Sequence, residues 1–193
     1  MTGGSAPAPA GAESGDASRR ILVLCCGQPA RGDDSAAYLA AELLPRLIAG
    51  GGAHDGGPSA ALPDPLRLPG AHAVEVVIRL VGQLEPDDLV DAGPGDAVVV
   101  ADAVRGVSPG IVIRRDLADL ASGGPSPRSS HVLPLRDVLA LVVALRGALP
   151  RGRFVGIGGT AFGIGQEVSP PVDAAIPSFA EAIVAEVRSL ADA

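Results

Sequence analysis

From Ile21 the chain reads ILVLCC, a short continuous apolar run. Successive side chains of a strand point to opposite faces, so a run with no polar break predicts a strand covered on both sides. It passes through GQPARG into Asp33 and Asp34. From there to Ile48, Ala36, Ala40, Leu43, Leu44 and Leu47 recur at helical spacing, so the first strand feeds a first helix. VEVVIRLV and DAVVVADAV are further strands, separated by EPDDLVDAG, which reads as a short helix with Pro86 near its first turn. GIVIRRDL has the character of an edge strand.

HVLPLRDVLALVVALRGAL places Leu135, Val138, Leu139, Leu141, Val142 and Leu145 on a helix that has Pro134 compatible with its first turn and should end near Gly147. RFVGIGG is the next strand. A closing helix from Pro171 to about Leu190 carries Ile176, Phe179, Ile183, Val184 and Val187. Strands alternating with helices define an α/β fold. The expectation is one domain over residues 20–193, with a twisted, mostly parallel sheet of about five strands flanked by helices on both faces, of the phosphorylase/hydrolase-like kind.

Two stretches lack either period. Residues 1–19 are rich in Gly, Ala, Ser and Pro, bury too little apolar surface to offset their ordering entropy, and read as a disordered tail. Residues 49–73 are dense in Gly and Pro and read as a long loop without a pattern.

Composition sharpens this outline. Hydrophobic residues make up 47% of the 193 residues but aromatics only 2%, so the core is aliphatic, which suits helices on a parallel sheet. A net charge of -7, with no basic cluster beyond pairs such as Arg114-Arg115, excludes the electrostatic footprint of a nucleic-acid binder. Neither a signal-peptide core nor an 18-residue apolar run is present, which points to a cytoplasmic protein without a membrane partner. Cys25 and Cys26 are adjacent in a strand and therefore poorly placed for a disulfide, so they read as small core residues in a reducing compartment.

Ligands of a parallel sheet bind beyond the carboxyl ends of its strands, and three polar features fall there. Asp33 and Asp34 follow the first strand, Asp102 closes AVVVAD, and His131 precedes the long helix. Each also has a plain structural use. One of the two acids, Asp33 by preference, suits a helix N-cap, Asp102 could hold the turn AVRGVSPG, and His131 could be an ordinary loop histidine. Together, two carboxylates and an imidazole from separate loops form an O,O,N donor set with open positions, suited to nickel, zinc or manganese. A helix N-terminus near His131 would keep its imidazole neutral, as a ligand must be. The glycine-rich GIGGTAFGIGQ has neither phosphate-loop nor dinucleotide spacing, and no nucleophile elbow occurs. His54 and His72 lie in the long loop and read as solvated.

ILVLCCGQPARGDDSAAYLAAELL resembles the opening strand, Gly-Asn-Pro-Leu-x-Gly-Asp-Asp/Glu turn and first helix of the [NiFe]-hydrogenase maturation endopeptidases. DAVRGVSPG, SSHVLPLRDVLAL, RLVGQLEPDDLVDA and VGIGGTAFGIGQEVSPPVDAAIPSFAEAI are similar to later parts of the same family, so the resemblance covers about Arg20 to Leu190. Departures are Gln28 where Asn is usual, SAA in place of Gly-x-Gly after the acids, and the length of the 49–73 loop.

The resemblance implies an endopeptidase that removes a C-terminal peptide from a hydrogenase large-subunit precursor. It implies that Asp34, Asp102 and His131 contact a nickel ion brought by that substrate, with no permanently bound cofactor, and that Gln28, Asp33 and Gln83 lie where substrate is bound. Gln28 and the missing glycines keep open a non-catalytic chaperone or checkpoint that docks on the large subunit. The donor set keeps open a self-contained metallohydrolase.

Overall fold

A computed structural model describes residues 19–52, 66–69, 74–123, 128–129 and 133–193. The expected tail at residues 1–19 therefore lies almost wholly outside the described residues, as do much of the 49–73 loop and all three histidines, His54, His72 and His131.

Chain order is β1 (Arg19–Cys26), a 3-10 turn (Gly32–Ser35), α1 (Ala36–Ile48), β2 (Leu66–Arg67), β3 (Val74–Val81), α2 (Pro86–Val90) and β4 (Ala97–Arg105). There follow β5 (Val112–Asp116), α3 (Leu117–Ala121), β6 (Arg128–Ser129), α4 (Leu135–Arg146), β7 (Arg151–Gly158) and α5 (Pro170–Asp192). The strands form one sheet in the order β2-β3-β1-β4-β7-β5, with β6 on β4. β3, β1, β4 and β7 are parallel to one another, whereas the edge pairings of β2 with β3 and β5 with β7 are antiparallel.

The strand alternation divides the core in two. Ile21, Val23 and Cys25 pack with Val99 and Ala101 against α1 and α5, including Leu44, Phe179 and Ile183. Leu22, Leu24 and Cys26 pack with Val98 and Val100 against Leu89 of α2, Leu120 of α3 and Val138 and Val142 of α4. Both faces are thus apolar, which explains why the central strands show no polar alternation. Cys25 and Cys26 are fully buried free thiols on opposite faces, as core residues should be.

Three expectations change. β2 gives Leu66-Arg67 a place in the sheet through Leu66 opposite Val76, within the stretch read as patternless. Asp102 does not end its strand, because pairing with β7 continues to Val104 opposite Gly158. Pro134 is the N-cap of α4, with φ -58° and ψ 142°, rather than part of its first turn. Gly147 does end that helix, in the left-handed region at φ 81°. No described helix is long and apolar enough to cross a membrane.

Candidate active site

β1 is flanked by β3 on one side and β4 on the other, so the chain leaving its carboxyl end opens a crevice at the point where the sheet order reverses. The β1–β4 pairing stops at Cys25 opposite Ala101. Asp102, the next residue of β4, is therefore the first beyond the β1–β4 pairing, level with Cys26 and on the α4 side together with it.

Gly27 starts the turn. Its N–H is shared between the carbonyls of Val81 (3.1 Å) and Gly82 (3.3 Å), and its φ is 132°. A Cβ here would lie 1.8 Å from the Asp34 carbonyl oxygen, so the turn closes only around glycine. Asp34 N–H then donates to the Arg31 carbonyl (3.2 Å) and the Ser35 hydroxyl to the Gly32 carbonyl (2.7 Å), which forms the 3-10 turn. Asp33 and Asp34 both lie in this turn, at 0% and 1% exposure.

Asp33 is not a cap of the first helix: neither the 3-10 turn nor α1 has a side-chain cap. Its carboxylate instead reaches across the crevice to the loop after β7. Oδ2 accepts from Thr160 N–H (2.7 Å), Ala161 N–H (2.9 Å) and the Ser169 hydroxyl (2.9 Å), and Oδ1 accepts from Ser169 N–H (2.7 Å). Burial pushes this carboxyl up, but the bonds from Ala161, Ser169 and Thr160 outweigh it and hold the group below its ordinary value. Asp33 N–H donates to the Ala161 carbonyl (2.7 Å) and Gly165 N–H to the Ala30 carbonyl (2.8 Å), so the two loops are fastened together.

Asp34 and Asp102, 2% exposed, are the other buried carboxylates at this end of the sheet. Asp96, also buried, sits at the opposite end and pairs with Arg20 at 2.7 Å. Burial drives the Cys26 thiol well above its ordinary pKa, and the charges of Asp102 and Asp34 both add to that shift, so both acids act on one locality. Behind Asp102 lies a narrow cavity lined by Cys26, Leu84, Leu133, Leu135 and Phe154, with about 10 Å³ accessible to water. That is room for roughly one molecule.

Gln28 is exposed after β1, with its amide against Gly82, and Gln83 is half-buried after β3, so both stand at the crevice. The structure thus brings Gln28, Asp33, Asp34, Gln83 and Asp102 to one end of the sheet. His131 lies outside the described residues, and among those residues no group of three metal-ligating side chains occurs. The glycine-rich segment is an 11-residue connection from Gly159 to Ser169 that does not open directly into a helix, in keeping with the absence of a phosphate motif.

Sequence reasoning missed three residues here. The Arg31 Nε–H donates to the Phe162 carbonyl (3.3 Å), the Arg105 guanidinium lies 4.1 Å from the Phe162 ring centroid, and Phe162 itself is buried. Their only signal was spacing, Arg31 three residues before Asp34 and Arg105 three residues after Asp102.

No protein-family model matches the sequence, and no curated protein matches it. Solved structures do. The [NiFe] hydrogenase maturation protease HycI from Thermococcus kodakarensis KOD1 matches with a TM-score of 0.58 at 23% identity, over 90% of this chain and 95% of that one. The hydrogenase maturating endopeptidase HybD from E. coli matches at 0.58 and 23%, over 88% and 93%. A solution structure of an endopeptidase from Escherichia coli matches at 0.59 and 22%, over the same shares. The chain has the α/β fold of the hydrogenase maturation proteases, as the resemblance in its motifs implies.

Proposed function

We propose that the protein is a hydrogenase maturation endopeptidase that removes the C-terminal peptide of a [NiFe]-hydrogenase large-subunit precursor. The observation that carries this reading is the burial of two carboxylates, Asp34 and Asp102, at the crevice where the sheet order reverses, in a fold shared with proteases of that class.

In this reading Asp34 and Asp102 contact the nickel ion that the substrate has already acquired. Buried carboxylates favour a divalent cation because its charge offsets the cost of keeping them ionised away from water. His131 is the third contact. The ion would serve as a Lewis acid, either polarising the scissile carbonyl or activating the attacking water, and would fix the peptide against the site. Water adds to the carbonyl carbon, the C–N bond breaks, and the proton lost by the water passes to the leaving amine.

Asp33 positions the loops rather than touching substrate, while Gln28 and Gln83 are available to peptide groups. Exposed Leu80 and Ile111 lie toward the carboxyl ends of β3 and β7, and exposed Ile164 in the loop after β7, which suits a partner of protein size better than a small solute. The proposed reaction belongs to the cytoplasm, where an unassembled precursor would be met.

Co-expression with a nickel-loaded precursor tests the reading. Wild type should release the C-terminal peptide, seen as a mass loss of the large subunit, and Asp34→Ala and His131→Ala should not. Equal processing by all three would sink it. Stable co-purification with an unshortened precursor would favour the checkpoint, and stoichiometric zinc or manganese in the purified protein would favour the self-contained metallohydrolase.

A further inference from the structure

Arg31 and Arg105 arrive from different strands and are anchored on one residue. Arg31 follows β1 and gives its Nε–H to the Phe162 carbonyl at 3.3 Å, while Arg105 ends β4 and lays its guanidinium 4.1 Å from the centre of the Phe162 ring. Phe162 is 4% exposed and belongs to the core on the α1/α5 face, so both cations rest on a fixed support. Its loop is in turn held by Asp33, whose carboxylate takes the N–H of Thr160 and Ala161 at 2.7 and 2.9 Å.

Neither guanidinium forms an ion pair among the described residues. Some other arginines are ion-paired, Arg20 with Asp96 and Arg153 with Asp116 and Glu186, whereas Arg19 and Arg151 donate to the Leu190 carbonyl much as Arg31 does to that of Phe162. Two guanidinium groups are thus fixed beside the crevice, one held by a carbonyl and the other by a ring. The Nη donors of Arg31 and the whole fork of Arg105 keep their capacity for a planar anion.

We propose that Arg31 and Arg105 form a carboxylate-binding clamp at the mouth of the site, which takes a carboxylate of the peptide being processed. The peptide origin rests on the endopeptidase reading, whereas the clamp does not. The carboxylate can be the peptide's C-terminus or an acidic side chain, since both present the same planar pair of oxygens.

Arginine-detected NMR on the full chain tests the clamp without any cleavage. N-acetyl-alanyl-alanine offers a terminal carboxylate, N-acetylglutamic acid α-amide offers a side-chain carboxylate, and their neutral amides and inorganic phosphate serve as comparisons. Saturable shifts of the Arg31 and Arg105 Nε–H signals with at least one carboxylate and neither amide are expected, and the tighter probe identifies the source. Affinity should fall about tenfold in Arg105→Gln, whose side chain is exposed, and in Arg31→Lys, which keeps the charge but loses the fork. No saturable response to either carboxylate, an equal response to the amides, affinity unchanged in both variants, or tighter binding of phosphate would overturn the proposal. Because the readout is binding, a negative result leaves the processing prediction standing, and failed processing leaves the clamp standing.

Discussion

Asp33 accepts four hydrogen bonds from groups 127 to 136 residues away, so Asp33→Asn turns an amide N–H₂ toward N–H donors that need an acceptor. The expected cost is about 2–4 kcal/mol, read from urea unfolding. The pH dependence has a definite sign. The folded carboxyl lies below its ordinary value of 3.8, so its contribution is fully present above 3.8 and is lost as the pH falls through the lower folded value. The stability gap between wild type and Asp33→Asn should therefore be flat near neutrality and close on acidification below about 3.8. A gap that widens on acidification would contradict the assignment. At Cys25 burial pushes the thiol up to about 12, and at Cys26 burial above all, with the nearby acids, raises the thiol well above its ordinary value, so neither should react with Ellman's reagent until the protein unfolds. That the two acids stand at a strand end was legible in the sequence. Which of them holds the loops was not, because the partners of Asp33 lie beyond any local pattern.

At the scale of elements, the turn between β1 and α1 depends on Gly27, where a Cβ would meet the Asp34 carbonyl at 1.8 Å. Gly27→Ala should cost about 3 kcal/mol or more in thermal unfolding and displace Asp34, so processing falls with stability. Gly147→Ala is the contrast. It is also left-handed, at φ 81°, but nothing lies within 4 Å of a Cβ there, so about 1 kcal/mol and normal processing are expected. The long elements were readable because each carries several turns or alternations of a period: Leu44 and Leu47 in α1 and Val138 and Val142 in α4 are buried at the spacing expected of them. β2 and β6, two residues each, were not, since so short a segment has no period and is fixed by its neighbours, and α3, five residues, lacked the proline that marked the equally short α2.

For the whole molecule, the crevice arises because parallel strands leave β1 in both directions, and the motif order already implied such a sheet. What sequence spacing could not supply was the joining of the β1 and β7 loops through Asp33 and Phe162, which sets two arginines beside two buried acids. Under the proposed function, the acids in that arrangement would read the metal state of the substrate. Purified protein should accordingly cleave a nickel-loaded large-subunit precursor, leave the same precursor intact when it lacks nickel, and lose activity in Asp102→Asn. The most direct measurement is the C-terminal mass of the precursor after incubation with wild type, with and without nickel in it. Shortening only of the loaded form is the predicted result, and equal shortening of both forms, or of neither, would contradict the account.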